Sequence, residues 1–264
     1  MSAIVGIVAT HNTVPGLLHS LQQMEGPGHN SCGLVVHGLQ GQTHSPPRLH
    51  RHRRAQRASA WIEKMAQSGK TDLNGLQGLV GMGHTGLQQT AEPLALQHAM
   101  PHISHGPDAH LNSPARVAVV VQGHIQDTTG LRDALTERGY TLKSNCGTEL
   151  LAHLIDATYQ TDPVQAVRRA LGLCSGQFAV GVMLHDQADR LIAAQSGAEL
   201  WLGVCEETIF VTSALTGMAR SAERLIQLVD GDVVDIHLGQ FSITDHEAQP
   251  VQRPAHKTSL QDWA

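Results

Sequence analysis

Apolar runs with β character lie at both ends of this 264-residue chain, and most of the helical stripes are gathered between them. That order limits the fold more than any other feature. Strands alternating singly with helices would give a doubly wound parallel sheet, whereas strands, then helices, then strands predict two sheets with helices outside. Ile4 to Val8 reads as a buried strand in which Ala3 and Gly6 make room for close packing. Val14, Leu17, Leu18, Leu21 and Met24 form a helical stripe with Pro15 in its first turn. Helices are also expected over Leu131 to Arg138, Thr148 to Tyr159 and Pro163 to Leu173, with the β-branched run Val117 to Val121 as a central strand before them. Short strands follow at Gln177 to His185, Arg190 to Ala194, Leu200 to Val204, Ile209 to Thr212, Leu225 to Leu228, Val233 to Ile236 and Phe241 to Ile243. The result is one α+β domain over 1–245 and a polar, extended tail over 246–264.

Composition narrows the class. With 41% hydrophobic and 16% charged residues the chain is globular, and with only 3% aromatics its core must rest on aliphatic side chains and Met. A formal charge of -5 gives no reason to expect a nucleic-acid partner. No apolar run is long enough to cross a membrane, and no basic segment followed by an apolar one opens the chain, so a cytoplasmic protein is expected. Cys32, Cys146, Cys174 and Cys205 are too scattered for a zinc ribbon or a disulfide scaffold. His98, His102, His105 and His110 crowd a stretch with Pro101 and Pro107. No carboxylate or cysteine stands at ligand spacing beside them, so solvated loop histidines are expected, with no metal and no cofactor. The basic segment Arg48 to Arg57 reads as a solvated face entering a helix that carries Trp61, Ile62 and Met65.

Ser2 follows the initiator Met directly. Methionine removal would leave its hydroxyl beside a free α-amine with a pKa of roughly 7.7–8.0, close enough to neutrality to serve as a base for it. Local chemistry thus makes Ser2 a candidate nucleophile.

Several short stretches then occur in one order: Ile4-Val5-Gly6-Ile7; Gly28, Ser31 and Gly33; Gly83-His84-Thr85; Gly123; Gly139-Tyr140; and Thr148 to Leu154. Ala193 to Gly197 and Asp230 to Val233 complete the set. Together they resemble the class II (N-terminal nucleophile) glutamine amidotransferase domain, nearest in kind to the glutaminase half of glucosamine-6-phosphate synthase, over about residues 1–253. The resemblance implies a four-layer αββα sandwich of two mostly antiparallel sheets. It also implies an active site at the residue exposed by Met removal, where a family Cys attacks the side-chain amide of glutamine and ammonia passes to a synthase.

The departures fall on the chemistry. Ser2 stands for the Cys and Ala3 for the Gly after it; Pro27 and Asn30 replace an Arg and an Asp. The family's His-Thr-Arg-Trp-x-Thr reads His84-Thr85-Gly86-Leu87-Gln88-Gln89, so the Arg that would hold the glutamine carboxylate is Gly86. In the oxyanion hole Gln122 replaces Asn and Gly123 is kept, with His124 after it where an apolar residue is usual. The Asp that would bind the ammonium is Gly147. At roughly 1.5–3 kcal/mol per charge-assisted hydrogen bond, losing both clamps costs on the order of 3–6 kcal/mol, or about two to four decades of affinity. An impaired oxyanion donor costs a further factor of roughly 10²–10³ in rate.

These losses point to a degenerate amidotransferase domain acting as a binding or regulatory subunit, with a synthase-type protein partner or as a homo-oligomer. Two alternatives remain: an N-terminal Ser amidohydrolase for a neutral amide, and a glutaminase subunit of a separately encoded synthase that rebuilds its clamp from His29, His124 or Arg116. Cys32 and Cys146 are expected as buried small hydrophobes in loops, and His124 as a partly buried ring satisfied by a carbonyl.

Overall fold

In the first strand, β1 (Ser2–Ala9), Ile4 and Val8 point to one core while Ala3, Val5, Ile7 and Ala9 point to another. This is the two-residue period of a pleated strand. With both faces apolar, β1 must be covered on both sides, and the rest of the molecule supplies the covers. A computed structural model describes residues 2–38, 48–68, 73, 76–88, 96–110, 113–126, 129–218 and 222–257. After β1 come α1 (Val14–Gln23), β2 (Ser31–His37), β3 (Leu49–Arg54), α2 (Ala58–Ser68) and β4 (Val80–Gly86). β5 (His102–Ser104) and β6 (Val117–Gln126) lead to α3 (Thr129–Glu137), α4 (Gly147–Thr158) and α5 (Pro163–Leu171). The remainder is β7 (Ser175–Leu184), β8 (Arg190–Ser196), β9 (Trp201–Val204), β10 (Thr208–Thr212), β11 (Arg224–Gln227), β12 (Val233–His237), β13 (Gln240–Thr244), β14 (Pro250–Val251) and β15 (Ala255–Lys257).

The strands form an eight-stranded sheet, β15-β11-β9-β10-β1-β4-β2-β3, and a seven-stranded one, β14-β13-β12-β8-β7-β6-β5. Pairings between strands are antiparallel in both. The sheets meet face to face through Ile4, Val8 and Met82 from one and Ala118, Val120, Met183 and Leu191 from the other. A Cβ on Gly6 would run into Leu191 and Val211, so the expected close packing at Gly6 is where the two sheets touch. Outside, α1 and α2 cover the eight-stranded sheet with Leu17, Leu21, Trp61 and Met65. On the far side α3, α4 and α5 cover the other with Leu135, Leu150, Leu151, Ile155 and Val167. The layers are therefore αββα. Local sequence sets the helix ends: Asp162 caps α5 by accepting from the N–H groups of Val164 (2.9 Å) and Gln165 (3.2 Å), with Pro163 next.

Two expectations need correction. The Arg-rich segment is no solvated approach to a helix: Leu49–Arg54 is the outer strand β3, with Arg51 and Arg53 half-buried. The histidine-rich stretch is not a solvated loop throughout either, because His102–Ser104 is the outer strand β5 and His102 is buried. Charged residues suit an outer strand, whose free edge must not invite pairing. Beyond residue 245, Pro250–Val251 and Ala255–Lys257 add a strand to each sheet. Arg253 between them binds the buried Asp232 through both carboxylate oxygens, at 2.9 and 2.6 Å.

Candidate functional site

Ser2 lies at the start of β1, and antiparallel pairing brings the end of β4 alongside it: Ser2 opposite Gly86, Ala3 opposite Thr85, Ile4 opposite His84. β2 flanks β4 on its other side, with Ser31 opposite Gly86 and Gly33 opposite His84. Ser2, the His84-Thr85-Gly86 end of β4 and Ser31 thus meet at one end of the sheet. Gly86 is held from two sides, its carbonyl accepting from the Asn30 N–H (3.0 Å) and the Ser31 hydroxyl (3.1 Å). Asn30 then fixes the following turn, accepting from the Gln88 N–H (2.7 Å) and donating to its carbonyl (3.3 Å).

No room is left at Gly86. A Cβ there would lie 2.7 Å from the Ser2 Cβ and 2.9 and 3.0 Å from two atoms of the His84 ring. That ring is 3% exposed, and neither of its nitrogens has a hydrogen-bond partner among the described residues. Burial, assisted by the nearby His29 and His102, pushes its pKa down to about 3, so the ring is neutral at ordinary pH. His29 is committed elsewhere, its Nδ1 accepting from the Gly26 N–H (3.3 Å) and lying 3.1 Å from the Thr85 hydroxyl.

The second half of the site is on the other sheet. Gln122 and Gly123 lie on β6, opposite Ala179 and Phe178 of β7. Gly123 has φ +103°, and a Cβ on it would strike the Gln177 carbonyl and stand 2.9 Å from the Phe178 Cα, so only glycine fits. The Gln122 Oε1 is buried and without a partner among the described residues. Gly147 opens α4 against the same strand, where a Cβ would lie 2.8 Å from that of Ile125. His124 is exposed and not half-buried as expected, since its side chain leaves β6 on the open face. Arg116, a candidate for a rebuilt clamp, pairs instead with Asp156 at 2.9 Å. Gln89 lies outside the described residues.

The cysteines divide. Cys32 is fully buried in strand β2 rather than in a loop, and burial pushes its thiol up to about 12, so it packs as a small hydrophobe. Cys146 is half-buried just before α4 with its Sγ 3.4 Å from the His98 Nδ1. No group of three or more metal-type ligands occurs among the described residues. Sequence reasoning missed Arg51, Arg53, Lys143, Glu149 and His153, which line a cavity with His102, His105 and His110. The available signal was the regular alternation of His50 and His52 with Arg51 and Arg53.

A sandwich of two antiparallel sheets with helices on both outer faces, a hydroxyl at the start of its first strand and a left-handed glycine on the facing sheet defines an N-terminal-nucleophile amidotransferase fold. Residues 96–219 match the family model described as a glutamine amidotransferase domain. Over the whole chain, the sequence is 31% identical to glutamine–fructose-6-phosphate aminotransferase [isomerizing] of Bordetella pertussis, covering 40% of that protein. It is 33% identical to the enzyme so named in Thermus thermophilus, covering 39% of it. The chain thus spans about two fifths of the length of these curated relatives. Among solved structures, glutamine phosphoribosylpyrophosphate amidotransferase from B. subtilis, complexed with ADP and GMP, superposes with a TM-score of 0.71 at 16% identity. That match covers 94% of this chain and 50% of the other. The chain carries a class II glutamine amidotransferase domain related to the glutaminase domain of glutamine–fructose-6-phosphate aminotransferase. Among the described residues no helix is long and apolar enough to cross a membrane.

Proposed function

We propose that this domain no longer hydrolyses glutamine and serves as a binding or regulatory subunit in the cytoplasm, paired with a separately encoded synthase-type protein or a second copy of itself. One observation supports this above the others: both positions where the resemblance calls for a charged clamp are glycines with occupied space in front of them. An Arg at 86 would begin inside the Ser2 and His84 contact, and an Asp at 147 inside Ile125. Neither charge of a zwitterionic amino acid then meets an opposite charge from those positions, and the neutral His84 ring supplies none. Incubating the purified chain with glutamine is expected to release no glutamate above background, with Ser2→Ala indistinguishable from the parent. Glutamate release that depends on Ser2 overturns the proposal.

A second reading, hydrolysis of a neutral amide by the Ser2 hydroxyl, draws support from Gly123, whose left-handed backbone keeps the turn on which an oxyanion hole is built. Intact-mass spectrometry of the natively produced protein tests it. A retained Met1 leaves no free α-amine beside Ser2 and ends that reading.

A further inference from the structure

The Arg-rich strand has no part in the amidotransferase reading, yet it lines a cavity of about 330 Å3. The cavity opens where the outer strands of both sheets, β3 and β5, meet α4. Arg51 and Arg53 stand two residues apart on β3 and so share a face. Each reaches across to the segment before β5, Arg51 donating to the Pro101 carbonyl (3.4 Å) and Arg53 to the Ala99 carbonyl (2.9 Å). Neither pairs with a carboxylate among the described residues, and most donors of both forks are left over. Lys143 adds a third cation. Burial, and then the adjacent Arg53, push the Arg51 pKa down to about 10, an effect that the Glu149 carboxylate only partly opposes.

One carboxylate, Glu149, lines the cavity, and its oxygens are already engaged. They accept from the Lys143 N–H (2.9 Å), the Ser144 N–H (2.6 Å) and the Ser144 hydroxyl (2.7 Å). His102, 2% exposed, lies with its Nε2 3.0 Å from the Gln97 carbonyl and leaves Nδ1 without a partner among the described residues. Three permanent cations, a single carboxylate and an unpartnered buried ring nitrogen share one space, so the charge of its walls is net positive. Its volume is at the low end of small-molecule sites and exceeds what a bare oxyanion fills.

We propose that this cavity binds a small phosphate monoester. The Arg51 and Arg53 forks hold the dianion, Lys143 adds a point charge, and the remaining volume takes a compact organic body. The site is separate from Ser2 and stands whether or not the domain hydrolyses an amide.

Isothermal titration of the full chain at low salt with glycerol 3-phosphate, inorganic phosphate and glycerol tests it. Glycerol 3-phosphate is expected to bind with a Kd below about 1 mM, more tightly than inorganic phosphate, while glycerol gives no heat. Arg51→Gln and Arg53→Gln should each weaken binding about tenfold or more, whereas Ser2→Ala and Arg224→Gln, the latter toward the opposite edge of the same sheet, leave it unchanged. Because Arg51 and Arg53 also hold backbone carbonyls, Lys143→Gln serves as a second variant, and unfolding curves without ligand separate lost binding from lost structure. Absence of binding by either phosphate at several millimolar, or equal binding by all three cavity variants, overturns the proposal. Inorganic phosphate binding as tightly as glycerol 3-phosphate overturns the assignment to a monoester.

Discussion

The Ser2 corner and the cavity between β3, β5 and α4 each contain a buried histidine, but they leave different things open. At Ser2 the side chains are small and neutral, His84 carries no charge, and the space in front of Gly86 is filled by its neighbours. At the cavity three cations surround about 330 Å3 of space. An unpaired charge in a closed corner costs several kcal/mol, whereas at a partly open rim water offsets most of that cost. Cationic side chains therefore line the opening at the rim of the sandwich, whereas those at the N-terminal corner are neutral.

The largest test of that contrast is pH. His84 and His102 have pKa values near 3 and 4, against 6.5 for an unperturbed ring. Below pH 6.5 the unfolded chain takes up protons that the native rings refuse, so stability falls as pH falls, by about 1.4 kcal/mol per unit for each ring. Because that slope is reached only well below pH 6.5, the two rings together remove about 4 kcal/mol between pH 6.5 and 4.5, read from urea midpoints. His84→Gln should cancel about half of this loss. Saturating glycerol 3-phosphate should relieve part of the His102 share, because a bound dianion favours the protonated ring. An acid limb that ignores both treatments would break the contrast.

Next comes Gly123→Ala, expected to cost about 3 kcal/mol in denaturant unfolding, because φ +103° and the Gln177 carbonyl both exclude a side chain. A loss that large indicates a glycine required by chain geometry, whatever its part in chemistry. A smaller effect is expected for Gly86→Ala, about 2 kcal/mol, because the Ser2 Cβ and the His84 ring must give way. Gly86→Arg should be no more stable and should show no heat with glutamine in calorimetry. A Gly86→Arg protein that binds glutamine at parental stability would show that the corner had stayed open after all.

Much of the fold was legible because its strands and helices are strongly apolar. The stripe from Val14 to Met24, the run Val117 to Val121 and the short strands from Gln177 to Ile243 all carry a clear period. The four strands that were missed, β3, β5, β14 and β15, are the outermost of the two sheets, the last two lying in the stretch expected to be an extended tail. Leu49–Arg54 is dominated by His and Arg, and His102–Ser104 is only three residues long, so neither shows the apolar alternation by which a strand is read. Around Ser2 the sequence offered single positions, Gly86, Gln122 and Gly147, where the resemblance calls for charged or shorter polar residues, but not the packing in front of them. The cavity was not legible, because its walls come from three distant parts of the chain: β3, β5, and the stretch from Lys143 into α4.

The sequence by itself determined two sheets with helices outside, through the order and period of its apolar runs, and the small, neutral residues at positions 86 and 147, through their identity. Only the tertiary structure decided that Gly86 and Gly147 face occupied space and that Arg51 and Arg53 face an opening. Both depend on which side chains approach across sheets and layers, and no local pattern of residues specifies that.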